Sequence, residues 1–263
     1  MGLNNHIFDF NLEVSKGLVP KHSTINKFGF NLDVDTGTDP ETVWSAGGLY
    51  TFPSTHSRLE LTSNDNDDIA TTGTGARKVK VFGLDQNYNL LEEEVNMKGV
   101  AASTTSGEFI RVFRAIVTEA GSSEKNEGVV NIKHIVDNIT VAEIPVDANA
   151  SIGGYGQTQM AVYSVPANHK AYITNLSGAI VRSGSNRHVT IALYKRKDGV
   201  QRVIQQLSIE STGSTTFNKT YSLPLEIEEK TDVFINCLET SANNTAVFGN
   251  FGLILVDQSG KYQ

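Results

Sequence analysis

Apolar and polar residues alternate with a period of two along almost the whole of this chain, and no stretch sustains the spacing of an amphipathic helix. Lys78-Val79-Lys80-Val81-Phe82-Gly83-Leu84 alternates strictly, reaches the turn-forming set Asp85 to Asn89, and returns as Leu91 to Met97. That is a hairpin by pattern and by turn chemistry. Phe109 to Val117 makes a second long run, and Gly121 to Gly128 is expected to fold it back onto Val129 to Ile135. Strands of this kind bury one face each, so they demand antiparallel sheets that cover one another.

Beyond Gln159 the same signal repeats in Met160 to Val165, Ala171 to Leu176, His188 to Tyr194, Val203 to Ile209, Thr215 to Tyr221, Asp232 to Leu238 and Val247 to Val256. So many strands in about a hundred residues match a jelly roll or a related sandwich. The expected fold is therefore all-β, with two antiparallel β-sandwich (jelly-roll-like) domains, residues 29–150 and 151–263. They would meet at the Gly-rich segment Ile152 to Thr158, and an extended N-terminal arm, residues 1–28, would precede them. In that arm Phe8, Phe10, Leu12 and Val14 share one face at a period of two, as in a strand that packs on a neighbouring subunit or on an edge of its own. Pro, Gly and Asp recur between Asn26 and Pro53, which predicts a long ordered loop with Trp44, Tyr50 and Phe52 pinning it to a sheet. Phe8, Phe10, Leu12, Val14, Trp44, Tyr50 and Phe52 are the candidates for contacts between subunits.

Several function classes are disfavoured. The 22 Lys and Arg are scattered and outweighed by 29 Asp and Glu, giving a net charge of −7, so no nucleic-acid partner is expected. The Lys195-Arg196-Lys197 run sits before the turn Asp198-Gly199 and reads as a solvated strand end. Cys237 is the one cysteine, in the apolar run Val233 to Leu238, where it serves as a small buried hydrophobe. The first residues lack a basic region followed by an apolar core, and no apolar run approaches the ~18 residues of a membrane span. The expectation is synthesis in a cytoplasm and no membrane partner.

No residue cluster carries the marks of an active or metal site. Asp33, Asp35, Asp39 and Glu41 fail the EF-hand spacing, and Asn64-Asp65-Asn66-Asp67-Asp68 reads as a solubilising loop tip. Glu92 and Glu94 would point together to solvent, with Glu93 on the face of Leu91 and Val95, an arrangement unlike a glycosidase dyad. The six histidines are dispersed, no nucleophile elbow is present, and Gly73 to Lys78 opens a strand rather than a helix. No catalytic, cofactor or metal role is expected.

The segment Thr74 to Asn89 resembles virion proteins of tailed bacteriophages. The likeness extends to Val43-Trp44, Gly47 to Phe52, Glu93 to Gly99, Phe109 to Ala115 and Gly156 to Pro166, covering roughly residues 26–166. It implies a structural component of a virion, attached to the head or to the neck and tail. The implied partners are other copies of the chain and capsid, portal or tail proteins. It transfers no functional residues. A rival reading makes the chain a host-receptor or carbohydrate-binding appendage with a host glycan as partner. Placing Tyr194, Phe217 and Tyr221 in strand-like runs weakens that rival.

Overall fold

The computed structural model describes residues 9–37, 40–147, 153–181, 187–211 and 214–260. One short helix, α1 (Phe10–Ser15), precedes sixteen strands: β1 (His22–Val34), β2 (Glu41–Thr42), β3 (Leu59–Ser63), β4 (Ala76–Leu84), β5 (Leu90–Asn96), β6 (Ser103–Thr104), β7 (Arg111–Ala120), β8 (Val130–His134), β9 (Ile139–Ile144), β10 (Val162–Ser164), β11 (His169–Val181), β12 (Arg187–Lys197), β13 (Val200–Ser211), β14 (Thr215–Ile227), β15 (Asp232–Thr240) and β16 (Thr245–Asp257). The chain is all-β and its paired strands are antiparallel, as the alternation requires. The sheets run β1-β16-β11-β14; β10-β15-β12-β13, with β2 added on β15; β6-β3-β8-β9; and β5-β4-β7.

Two cores account for these sheets. Ile173, Leu176, Val189, Ile191, Ile235 and Phe251 fill the first, between the β1- and β15-containing sheets. Leu59, Leu61, Val79, Val81, Phe109 and Ile132 fill the second, between the β3- and β4-containing sheets. The β4–β5 hairpin forms in the expected register, from Lys78 opposite Asn96 to Leu84 opposite Leu90. Its turn is held by the Asp85 carboxylate, which accepts the N–H groups of Asn87 and Asn89.

Four sequence expectations need correction. First, α1 replaces the extended arm. Asp9 caps it by accepting the N–H groups of Asn11 and Leu12, and it ends in a Schellman turn at Gly17, with Gly17 N–H on Val14 O and Leu18 N–H on Glu13 O. Helical geometry breaks the period-two face: Val14 is buried on Ile254 and Val256, while Phe10 and Leu12 are 44% and 49% exposed. Phe8 lies outside the described residues.

Second, the boundary at 28/29 falls inside β1, which pairs with β16 from His22–Val256 to Asn31–Val247. The first part of the expected loop is thus a strand of the C-terminal sheets, and Val43 continues it by bonding Ile235 O and accepting from Ala161 N–H. Third, β7 does not fold back on β8; they lie in different sheets. The connection between them is pulled across by two buried side chains. Asn126 Nδ2 donates to Gly128 O and Pro145 O, and Asp68 accepts the N–H groups of Glu127 and Gly128. Fourth, the described part of the Gly-rich segment is stitched to β7 rather than lying free between halves. Val117 N–H bonds Gly156 O and Thr158 N–H bonds Ala115 O. A Cβ on Gly154 would lie 2.0 Å from Asn126 O, so only glycine fits there.

Candidate functional site

The second core packs on the β15-containing sheet through a ladder of rings, with a buried ion cluster beside it. Trp44, Tyr50, Phe52, Phe234 and Tyr194 follow one another at centroid distances of 5.0, 4.8, 5.2 and 5.3 Å, the last pair stacked at 8°. The Tyr50 hydroxyl donates towards Val112 O and Val141 O, and burial raises its pKa. Trp44 Nε1 donates to Gly48 O. Trp44 and Tyr50 are buried and Phe52 half-buried. These three residues therefore join the chain to itself instead of offering a surface to another subunit.

Beside the rings, Asp232 of β15 binds Arg111 of β7 through Nε (2.8 Å) and a second guanidinium nitrogen (3.2 Å). Arg196 of β12 adds a bond at 2.9 Å and the Ser164 hydroxyl one at 2.7 Å. The Arg111 and Asp232 side chains are 6% and 2% exposed. Both guanidiniums lie over the Phe52 ring, at 5.4 and 5.0 Å. Arg111 Nη1 donates to Pro53 O and Ile110 O. Lys27 reaches from β1 to Phe113 O of β7. Burial, aided by the nearby Arg114 charge, draws its pKa down to about 7.

An open groove lies on the outer face of the β1-β16-β11-β14 sheet. Three rungs of that sheet define it. Phe30, Phe248, Ala179 and Thr216 stand opposite one another in one rung. Phe28, Asn250, Ser177 and Asn218 make another, and between them run Gly29, Gly249 and Gly178, ending at Phe217. The glycines have a packing reason. A Cβ on Gly29 would lie 2.6 Å from Ala161 N and 2.7 Å from Val43 O, because the facing sheet approaches that closely. Their side-chain positions face the first core, so the groove lies between the outward rows on either side of them. Tyr155 and Gln159 form one wall, with Tyr155 5.3 Å from Phe30 and Phe30 5.7 Å from Phe248. The groove measures about 740 Å³. The Phe30–Tyr155 ridge parts it from an acidic hollow containing Asp33, Glu41 and Glu143, where burial raises the pKa of Glu143 against a bond from Ser45.

The other residues singled out in the sequence are dispersed. Glu92 and Glu94 pair with Lys80 and Lys78 on the outer face of the hairpin. Glu93 accepts from Ser106 and Gly107; these bonds outweigh its partial burial and hold its pKa below the usual carboxylate range. Glu41 is engaged by Asn31 and Gly48, and Asp39 lies outside the described residues. Asp68 is no solvated tip: it is fully buried and accepts from Ser63, Ala76, Glu127 and Gly128. Cys237 is buried, which pushes its thiol up to about 12. Tyr194 and Phe217 pack on the cores, as does Tyr221. The groove was missed because Phe28 and Phe30 fall in the stretch read as loop. The Phe-Gly dipeptides at 28–29, 248–249 and 251–252 were the available signal.

No protein-family model matches this chain, and no curated protein does. Among solved structures, it is similar to the naturally occurring empty particles of cowpea mosaic virus, the top component, at 7% identity, over 75% of this chain and 80% of that one, with a TM-score of 0.24. It is also similar to the structure of infectious bursal disease virus Gx strain, at 11% identity over 92% and 74%, with a TM-score of 0.26. The VP2 subviral particle of infectious bursal disease virus gives 9% over 91% and 73%, with 0.23. Likenesses at these scores carry no argument about the topology or function of this chain.

Proposed function

We propose that this chain is a structural component of a virion, joining or decorating the head or the neck and tail of a tailed-phage particle through repeated copies. The resemblance in residues 26–166 supplies the class of particle. The observation that carries the reading is the N-terminal helix: α1 is fastened to the sheet by Val14 and presents Phe10, Leu12 and, after its turn, Leu18 outward. Large apolar side chains left exposed on one terminal segment offer a contact to another protein surface. The aromatic ladder and the Arg111–Asp232–Arg196 cluster behind it support a rigid building block, which suits a part that transmits load between neighbours. The reading assigns no catalysis to the chain.

The test replaces Phe10 and Leu12 together with Ser in the virus that encodes the chain. Incorporation into particles falls at least tenfold while the melting temperature of the purified protein stays within a few degrees. Normal incorporation of the double variant rejects the helix as the contact surface.

A further inference from the structure

The groove on the outer sheet face has a chemistry distinct from the rest of the surface. The chain carries 22 Lys and Arg and 29 Asp and Glu, yet among the described residues none of them lines the groove. A surface without charge complements a ligand without charge. The groove's apolar part comes from Phe28, Phe248 and Ala179. Its margins offer amides, Gln159, Asn218 and Asn250, together with the hydroxyls of Ser177 and Thr216.

Gln159 is the most informative of these. It is 8% exposed, and its side-chain amide makes no hydrogen bond to any other described residue. Its amide atoms reach solvent in the groove, where they offer a ligand both a donor and an acceptor. Asn250 is prepared differently: its carbonyl oxygen accepts from Ser177 at 2.6 Å, which turns its NH₂ to the remaining donor role.

We infer that this groove binds a neutral saccharide. A pyranose ring has an apolar C–H face that lies on aromatic side chains, and a rim of hydroxyls that both donate and accept. Amide side chains match that rim because each offers both roles, and the absence of charge selects against sialylated or sulfated sugars. The volume, about 740 Å³, lies within the range of small-ligand clefts. The inference is independent of the particle role: failure to bind sugar leaves that role standing, and absence from particles leaves the groove standing.

The experiment presents the full chain to an array of neutral oligosaccharides of hexoses and N-acetylhexosamines beside sialylated and sulfated ones, and measures the strongest neutral ligand by calorimetry. Gln159→Leu removes the amide at similar volume. Thr216→Trp fills the groove from an exposed rim position and serves should the first variant fold poorly. Binding to a neutral glycan, weakened at least tenfold by Thr216→Trp at an unchanged melting temperature, is the expected result. No neutral glycan bound at millimolar concentration, binding confined to charged glycans, or binding retained in both variants overturns the inference. So does a change of oligomeric state in Thr216→Trp without any glycan binding, which would make the groove a contact between copies.

Discussion

Asp232→Asn should destabilise the whole molecule by about 3–5 kcal/mol, the usual cost of breaking a buried ion pair from one side. The carboxylate holds three nitrogens of two arginines and one hydroxyl, at 2.7 to 3.2 Å. An amide turns one acceptor into a donor that faces a guanidinium, losing charge-assisted bonds of about 1.5–3 kcal/mol each. Arg196, 23% exposed, can turn to water. Arg111, 6% exposed, cannot, and its charge is left without a counterion. The assay is equilibrium urea denaturation followed by far-ultraviolet circular dichroism and by Trp44 fluorescence. Trp44 heads the ring ladder beside the cluster, so its signal reports the junction directly. Both probes should give one coincident transition in the wild type and in the variant, shifted in midpoint. Replacing Arg111 with Met in the Asp232→Leu background should recover much of the loss, since an apolar pair of similar volume tolerates the site. A loss under about 1 kcal/mol, or two separate wild-type transitions, would refute the claim that this cluster locks the sheets together.

Other predictions concern single groups. Lys27 has a folded pKa of about 7 against an unfolded value of about 10.4. Between these the unfolded chain binds more protons, so stability rises with pH from about 7 to 9.5, and the cost of the buried ammonium is fully felt below 7. Lys27→Met should flatten that rise and stabilise the protein at pH 6 by an amount on the order of 4 kcal/mol; urea midpoints at pH 6, 8 and 9.5 that move alike in both proteins contradict this. Asp68→Ala should cost more than about 3 kcal/mol by leaving the buried N–H groups of Ala76 and Gly128 unmatched. Asp65→Asn and Asp67→Asn, on the same loop, should stay within ~0.5 kcal/mol, and thermal melts decide the ranking.

Strand content was legible because alternation is a local property: β4 and β5 could be drawn from Lys78 to Met97 with their turn. Partner choice was not legible, because it depends on distant surfaces. β1 looks like a loop in isolation, with Asn, Gly and Asp interrupting it, and becomes a strand because Gly29 and Phe30 meet Gly249 and Phe248 across more than two hundred residues. The helix at Phe10 was hidden by a coincidence of period, and only its cap residues Asp9 and Gly17 mark it. Asp68 and Asp65 are chemically identical in the sequence, and four donors, two of them from distant Glu127 and Gly128, give one of them a different role. Trp44 and Tyr50 could be read from the sequence either as pinning their loop to a sheet or as contacts between subunits, and their burial depends on distant strands that local pattern does not reveal.

Virus particles purified from the cells that produce this chain offer the most direct check on the proposed structural role. Quantitative mass spectrometry after density-gradient purification and a high-salt wash should find the chain in multiple copies per particle, in fixed ratio to the major shell protein. Its absence from washed particles, or fewer than one copy per particle, would contradict the proposal.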